Sequence, residues 1–191
     1  MKILSLIIIV LLNFSNVLNA PIYNPQNLFA DTVNSLGSLP PYNFIFNPNN
    51  INLGMGNMNQ LKSIQDYLFN FYGVSTFFIF INDVDSQYLS TNGLNKFLTE
   101  YMYYYENQFN LNDDLTITVL FLYDTYIFQD NQQIQSIRAG NYLTSLLGGT
   151  QKLNKLIDSQ YANIETHNYL QALFNILIQI RNGIELAGLN N

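Results

Sequence analysis

Apolar and polar residues follow a regular pattern from residue 57 onward, and this pattern predicts first a helix and then a strand. Asn57 is a helix-capping residue type, and Gly73 suits a helix end because glycine tolerates a positive φ. Between them, apolar residues recur at steps of three and four: Leu61, Ile64, Leu68 and Phe71. Residues 74–81 include the continuous apolar run 77–81, which is typical of a central strand covered on both faces.

A second helix and further strands are predicted in the middle of the chain. Residues 94–107 have helical periodicity, and residues 115–123 form a second apolar strand. The expected buried face of this helix consists of Leu94, Phe97, Leu98, Tyr101 and Tyr105. Residues 126–128 and 134–139 flank polar turn residues, so they predict a hairpin that ends at Gly140.

Two helices are predicted at the C-terminal end. Thr150 is the expected cap of the first and Thr166 the expected cap of the second. The first carries Leu153, Leu156 and Ile157, and the second carries the stripe Leu170, Leu173, Leu177, Ile180 and Ile184. Since helices and strands alternate, the chain is expected to be an α/β protein. We predict a three-layer α/β/α sandwich with a mixed, largely parallel sheet and a hairpin at its edge.

The N-terminal part of the chain has a different character. Lys2, the apolar stretch 3–12 and the small residue Ala20 predict a signal peptide over residues 1–20, so the protein is expected in the secretory pathway, secreted or lumenal. The alternative is a buried N-terminal helix. Residues 21–56 contain all five prolines and predict an extended, mostly irregular lead-in to an α/β domain at residues 57–186. No later apolar run is long enough to predict a transmembrane anchor in the mature chain.

Charge and composition exclude several functional classes. Thirteen Asp and Glu against seven Lys and Arg give a net charge of −6, and the basic residues are scattered singly, so no nucleic-acid partner is expected. The chain has no Cys and one His, His167, which is expected as an exposed residue in the first turn of the last helix. The common nucleophile and metal-ligand motifs therefore have few residues from which to be built.

Acidic residues follow the two predicted parallel strands. Asp83 and Asp85 come after the first strand, and Asp124 comes after the second. Because the carboxyl ends of parallel strands share one edge of a sheet, these three carboxylates are candidate ligands for Ca²⁺ or Mg²⁺. The alternative is that all three are solvated turn residues. No organic cofactor is expected.

Three other features have weaker functional interpretations. The Asp83-Val84-Asp85 triplet resembles the nucleophile motif of haloacid-dehalogenase-type phosphatases, but a fitting Lys after a later strand is missing. Gly54 and Gly56 precede a helix without a preceding strand, so a hinge is a better interpretation than a phosphate loop. Arg138 is expected to pair with an Asp or Glu, with orientation of an anion as the alternative.

The order of these elements resembles the TPM domain family over roughly residues 44 to 186. The resemblance rests on Phe-Asn-Pro-Asn at 46–49, the helix that ends at Gly73, the basic strand 134–140 and the closing helices with Tyr161 and Tyr169. Relatives often have acids where this chain has Asn47 and Asn49. Membership of this family would imply a phosphatase, a divalent-cation-binding protein or a receptor accessory protein.

These features lead to two functional hypotheses. The first is a secreted TPM-like module that acts through protein contacts and binds a divalent cation weakly. The alternative is a metal-dependent acid phosphatase of the same fold. The tyrosines at 101 and 103–105 surround a helix, so Tyr103 and Tyr104 are the candidate partner surface.

Overall fold

A four-stranded mixed sheet runs through the middle of the computed structural model, which describes residues 21–37, 42–122 and 135–188. Its strands are β2 (Asn43–Phe46), β3 (Ser75–Ile81), β5 (Thr116–Leu122) and β6 (Gln135–Ala139). Two short strands, β1 (Ile22–Tyr23) and β4 (Asp83–Val84), form a separate parallel pair. The helices are α1 (Pro25–Leu36), α2 (Met58–Tyr72), α3 (Thr91–Phe109), α4 (Asn141–Leu146), α5 (Thr150–Asp158), α6 (Tyr161–Glu165) and α7 (Tyr169–Leu186).

The two central strands are parallel. The strand order is β2-β3-β5-β6, and β3 aligns with β5 from Ser75 opposite Thr116 to Ile81 opposite Leu122. All residues of β3 and β5 are buried, since helices cover both faces of the sheet. β2 is parallel to β3, and β6 is antiparallel to β5. The predicted pair of parallel central strands is confirmed.

Helices pack on both faces of this sheet. One core contains Phe78 and Phe80 of β3 together with buried residues of α2, α5, α6 and α7. The other contains Phe77 and Ile79 of the same strand together with residues of α1 and α3. Because neighbouring residues of a strand point to opposite faces, β3 supplies both cores. The α/β sandwich predicted from the sequence is confirmed.

Helix α2 has the predicted ends, and three of the four residues of its apolar stripe are buried. The Asn57 side chain accepts hydrogen bonds from the backbone N–H groups of Asn59 and Gln60, and Gly73 ends the helix at a φ of 68°. Leu61, Ile64 and Leu68 are buried as expected, whereas Phe71 is 58% exposed. Phe71 lies at the border of the buried face and packs against Tyr67, with ring centroids 4.5 Å apart. Phe71, the last residue of the predicted apolar stripe, is therefore not part of the core.

Helices α3 and α7 have the predicted stripes, Leu156 of the α5 stripe is only partly buried, and the caps of α5 and α7 differ from those predicted. The predicted buried residues of α3 and α7 are all in the core. Gly149 and Asn168 occupy the cap positions predicted for Thr150 and Thr166. Thr166 instead follows the last residue of an additional helix, α6, and its hydroxyl donates to the carbonyl of Ala162 at 2.8 Å.

The prediction of an extended, mostly irregular lead-in at 21–56 was wrong for the residues that the structure describes. This stretch contains α1 and supplies β2 to the main sheet. Asn24 caps α1 by a reciprocal pair of hydrogen bonds with Asn27, and Pro25 occupies the first turn. A proline in the first turn favours a helix start, because its missing N–H would have no helical partner there. Pro25 thus begins a helix and does not break one.

Two predicted segments lie outside the described residues. The predicted signal peptide, 1–20, is one, and the first hairpin strand, 126–128, is the other. The second hairpin strand is present as β6, at the edge of the sheet. Among the helices of the described ranges, none has the length and apolar character needed to cross a bilayer.

Candidate functional site

The parallel strands β2, β3 and β5 end at one edge of the sheet, which we call the carboxyl edge. Phe46 at the end of β2 lies opposite Ile79, and Ile81 at the end of β3 lies opposite Leu122. In open α/β sheets, ligands bind beyond the carboxyl ends of parallel strands. The residues that follow these strands are therefore the first place to look for a site.

Asparagine side chains join the loops that follow β2 and β3. The Asn49 Nδ2 donates to the Asn82 Oδ1 at 2.5 Å, across 33 residues of sequence. Asn47 fixes the same loop, because its Nδ2 donates to the carbonyl of Ile51 and its Oδ1 accepts from the Ile51 N–H, both at 2.9 Å. The side chains of Asn49 and Asn82 are thus held together at the carboxyl edge.

Asp83 is the carboxylate nearest to this pair along the chain. It is half-buried at the start of β4, where its Oδ1 accepts from the N–H of Val84 at 2.8 Å. β4 pairs with β1, and Ile22 lies opposite Asp83. This pairing holds Asp83 directly beyond the end of β3, beside Asn82.

Asp85 lies further along, after β4. Its backbone N–H donates to the carbonyl of Tyr23 at 2.9 Å. The charge of its carboxylate contributes to the raised pKa of Tyr88. The pKa of Tyr88 is raised to about 12, first by its hydrogen bond to Glu100, then by burial, and then by the charges of Glu100 and Asp85. Tyr88 therefore stays protonated and donates to Glu100 at 2.7 Å.

Two of the three carboxylates predicted as cation ligands lie among the described residues. Asp83 and Asp85 follow the end of β3 as expected, while Asp124 lies outside the described residues, two positions beyond Leu122. Within the described ranges, no group of three or more His, Cys, Asp or Glu side chains is placed to hold a metal ion. A cation at the carboxyl edge would therefore need amide oxygens, such as the Asn82 Oδ1, in addition to Asp83.

The start of α7 also borders the carboxyl edge, and sequence reasoning missed it. The Tyr169 ring packs against Phe80 and Phe121 near the ends of β3 and β5, with centroid distances of 5.4 and 5.2 Å. His167 precedes the helix cap, with a φ of 58°, and its Nδ1 lies 3.1 Å from the Tyr169 hydroxyl. His167 is exposed as predicted, but it lies before α7 and not in its first turn.

Gly54 and Gly56 allow the loop after β2 to pack onto the start of α7. A Cβ at Gly56 would lie 2.3 Å from the Cβ of Leu170, and one at Gly54 would lie 2.6 Å from the carbonyl oxygen of His167. The N–H of Leu170 donates to the carbonyl of Leu53 at 3.0 Å, which joins the two segments. These glycines serve close packing, and the hinge at this position stays a prediction.

Arg138 pairs with an acid, as expected, at the other end of the sheet. Its Nη1 and Nη2 donate to the two carboxylate oxygens of Asp113, at 2.7 and 2.5 Å. Burial alone would raise the pKa of Asp113, but the hydrogen bonds and charge of Arg138, with the Thr116 hydroxyl, hold this pKa below its ordinary value. The pair is charge-balanced at neutral pH.

The tyrosine cluster of α3 is mostly inside the protein. Tyr101 and Tyr105 are in the core, and Tyr104 stacks on Phe29 with centroids 5.7 Å apart. Tyr103 is 62% exposed. Of the two residues predicted as a partner surface, Tyr103 is therefore the one that presents a large area to solvent.

Comparison with known proteins identifies the fold. No family model matches the chain, and no curated protein sequence matches it. The solution NMR structure of the N-terminal domain of a P. gingivalis protein is similar, with a TM-score of 0.57 and 11% sequence identity. The match covers 86% of this chain and 93% of that domain. The two proteins share an α/β fold.

Proposed function

We propose that this protein is a secreted TPM-type module that acts through protein contacts and binds a divalent cation weakly at the carboxyl edge. The family part of the proposal is supported by the TPM-like order of sequence elements and by a fold compatible with such a domain. The localisation part is supported by the leader-like pattern of residues 1–20.

The contact between Asn49 and Asn82, beside Asp83, carries the cation part of the proposal. Amide and carboxylate oxygens are the ligands that Ca²⁺ takes in proteins, and their affinity rises with the number of charged ligands. Asp83 would supply one charged oxygen, and the Asn82 Oδ1, which already accepts from Asn49, would supply a neutral one, so weak binding is expected. Asp124 is proposed as a further ligand because it follows the adjacent parallel strand. Asp85, which directly follows β4, is proposed as the third acidic ligand.

Ca²⁺ fits this arrangement better than Mg²⁺. Mg²⁺ demands a near-octahedral set of short bonds and gives up its water reluctantly, whereas Ca²⁺ accepts irregular sets of six to eight oxygens. Amides held by a loop and a carboxylate on a short strand form an irregular set. We expect the order of affinity to be Ca²⁺ above Mg²⁺.

Tyr103 supports the protein-contact part of the proposal. Its exposed ring provides a large contact area at low entropic cost, which is why tyrosine is enriched at protein interfaces. It lies on α3, on the opposite side of the sheet from α2 and α7. A partner could thus bind there without covering the start of α7.

Replacing Asp83 with Asn is expected to weaken Ca²⁺ binding at least about tenfold, equal to ~1.4 kcal/mol, because a charged ligand becomes neutral. The amide keeps an oxygen that can accept from the Val84 N–H, so the fold should be retained. Isothermal titration calorimetry of the purified protein with CaCl₂ measures this change. Asp158→Asn is the matched control, because it removes the same charge from an exposed position at the end of α5.

Equal affinities for the wild type and Asp83→Asn would contradict the site, as would the absence of Ca²⁺ binding by the wild type. Hydrolysis of a generic phosphomonoester with divalent metal, abolished by Asp83→Asn and kept by Asp158→Asn, would instead favour the phosphatase alternative.

A further inference from the structure

A separate cleft of about 320 Å³ lies beside β6, between α3 and α5. It is at the opposite end of the sheet from the carboxyl edge, since Ala139 of β6 lies opposite Ile117 near the start of β5. A volume of this size suits a small ligand. Its polar lining residues are Asn95, Thr99, Arg138, Asn141, Thr144 and Thr150.

The charge inside this cleft is balanced within the protein. Arg138 and Asp113 are paired through both oxygens of the carboxylate, and their side chains are only 15% and 19% exposed. The Arg138 Nε also donates to the Thr99 hydroxyl at 3.2 Å. A charged ligand would lose hydration here without meeting an uncompensated opposite charge. The electrostatics therefore favour a neutral ligand.

Among the described residues of β6, Ile137 has both backbone groups directed toward the cleft. The Gly140 N–H donates to the carbonyl of Thr116, so the alternation of the antiparallel pair directs the N–H and C=O of Ile137 away from β5. The next outward carbonyl, that of Ala139, already accepts from the Thr144 hydroxyl at 3.0 Å. Addition of a peptide strand needs a longer row of such groups, so a compact ligand fits better.

We propose that this cleft binds a small neutral polyhydroxylated molecule, of the chemical class of a monosaccharide. Uncharged amide and hydroxyl side chains on the walls match the many donors and acceptors of such a ligand. Apolar groups of Ile137, Ala139 and Leu153 also line the cleft and can pack against its C–H surfaces. The Ile137 N–H and C=O supply one further donor and one further acceptor.

NMR titration of the isotope-labelled protein tests the proposal with D-glucose, D-galactose and N-acetyl-D-glucosamine as probes. At least one probe is expected to give saturable shifts of the backbone amides of Asn95, Thr99 and Ile137. Asn141→Ala and Thr150→Val should weaken that binding severalfold and leave the melting temperature unchanged, because both side chains are exposed at helix starts. Asn70→Ala, on the exposed side of α2, is the matched control and should bind like the wild type.

The proposal is overturned if none of the three sugars shifts these amides at tens of millimolar, or if the shifts persist unchanged in both cleft variants. It is also overturned if D-glucuronate binds tighter than D-glucose, or if a trialanine peptide shifts β6 amides where the sugars do not. Loss of folding in one cleft variant leaves the other variant and the wild-type shift pattern to decide.

Discussion

Replacing Phe80 with Ala is expected to lower the free energy of unfolding by about 3–5 kcal/mol. Phe80 is 1% exposed on β3, and its ring packs against Phe121 of β5 and Tyr169 of α7 at centroid distances of 5.0 and 5.4 Å. The change removes buried apolar area and leaves a cavity where two strands and a helix meet. Most domains have a total stability only a few times larger than this loss.

Urea unfolding followed by circular dichroism measures this effect, and Phe71→Ala is the matched control. Phe71 is 58% exposed at the end of α2, so the same truncation there should cost less than about 1 kcal/mol. Equal losses for the two variants would mean that β3 is not covered on the face that Phe80 occupies. A larger loss of unfolding free energy for Phe71→Ala would mean that Phe71 is part of the core.

Replacing Arg138 with Ala is expected to cost about 2–4 kcal/mol at neutral pH, because it leaves the Asp113 carboxylate largely buried without its partner. Both side chains are mostly shielded, at 15% and 19% exposure, so solvent screens this pair weakly. Thermal unfolding of both proteins measures the difference. Arg181→Ala is the control, since Arg181 contacts Glu185 at 3.6 Å with a third of its side chain exposed and should cost less than about 1 kcal/mol.

The cost of Arg138→Ala should also depend on pH. The pKa of Asp113 lies below its ordinary value of 3.8, so in the wild type the pair stabilises the fold above that value and loses its effect as pH falls through the lowered pKa. Without Arg138, burial raises the pKa of Asp113, and protonation relieves the penalty as pH falls. The difference between the two proteins should therefore begin to shrink as pH falls toward about 4 and should shrink further below it. A difference that stays constant or grows in acid would contradict the assigned role of this pair.

The centre of the fold was predictable because its signals are local and strong. The apolar run of β3 identifies a fully buried strand, and the stripes of α3 and α7 each identify a helix with one buried face. A crossover helix between two apolar strands then implies that they are parallel. These features depend on residue spacing alone, and all were confirmed.

The N-terminal part was mispredicted because its signals have two meanings. Proline breaks a helix in its interior and favours one in its first turn, and Pro25 follows the capping residue Asn24. β2 is only four residues long, and its role in the sheet depends on its pairing with β3. Pairing between distant segments leaves no local periodicity by which a short strand is recognised.

The carboxyl edge was only partly predictable for the same reason. The sequence predicted that Asp83 follows an apolar strand, and in the structure Asp83 lies just beyond the end of β3. The contact of Asn49 with Asn82 and the packing of Tyr169 on Phe80 join residues distant in sequence, so spacing could not reveal them. Gly56 was visible as a residue type, but its close approach to Leu170 required the tertiary structure.

Titration with Mn²⁺, followed by paramagnetic broadening of backbone amide signals, tests the cation site most directly. Mn²⁺ prefers the same oxygen ligands as Ca²⁺, and broadening falls steeply with distance from the ion. We expect the amides of Asn49, Asn82 and Asp83 to broaden first, excess Ca²⁺ to restore them, and Asp83→Asn to lose the effect. Broadening that begins elsewhere in the chain, or that Ca²⁺ leaves unchanged, would contradict a cation site at the carboxyl edge.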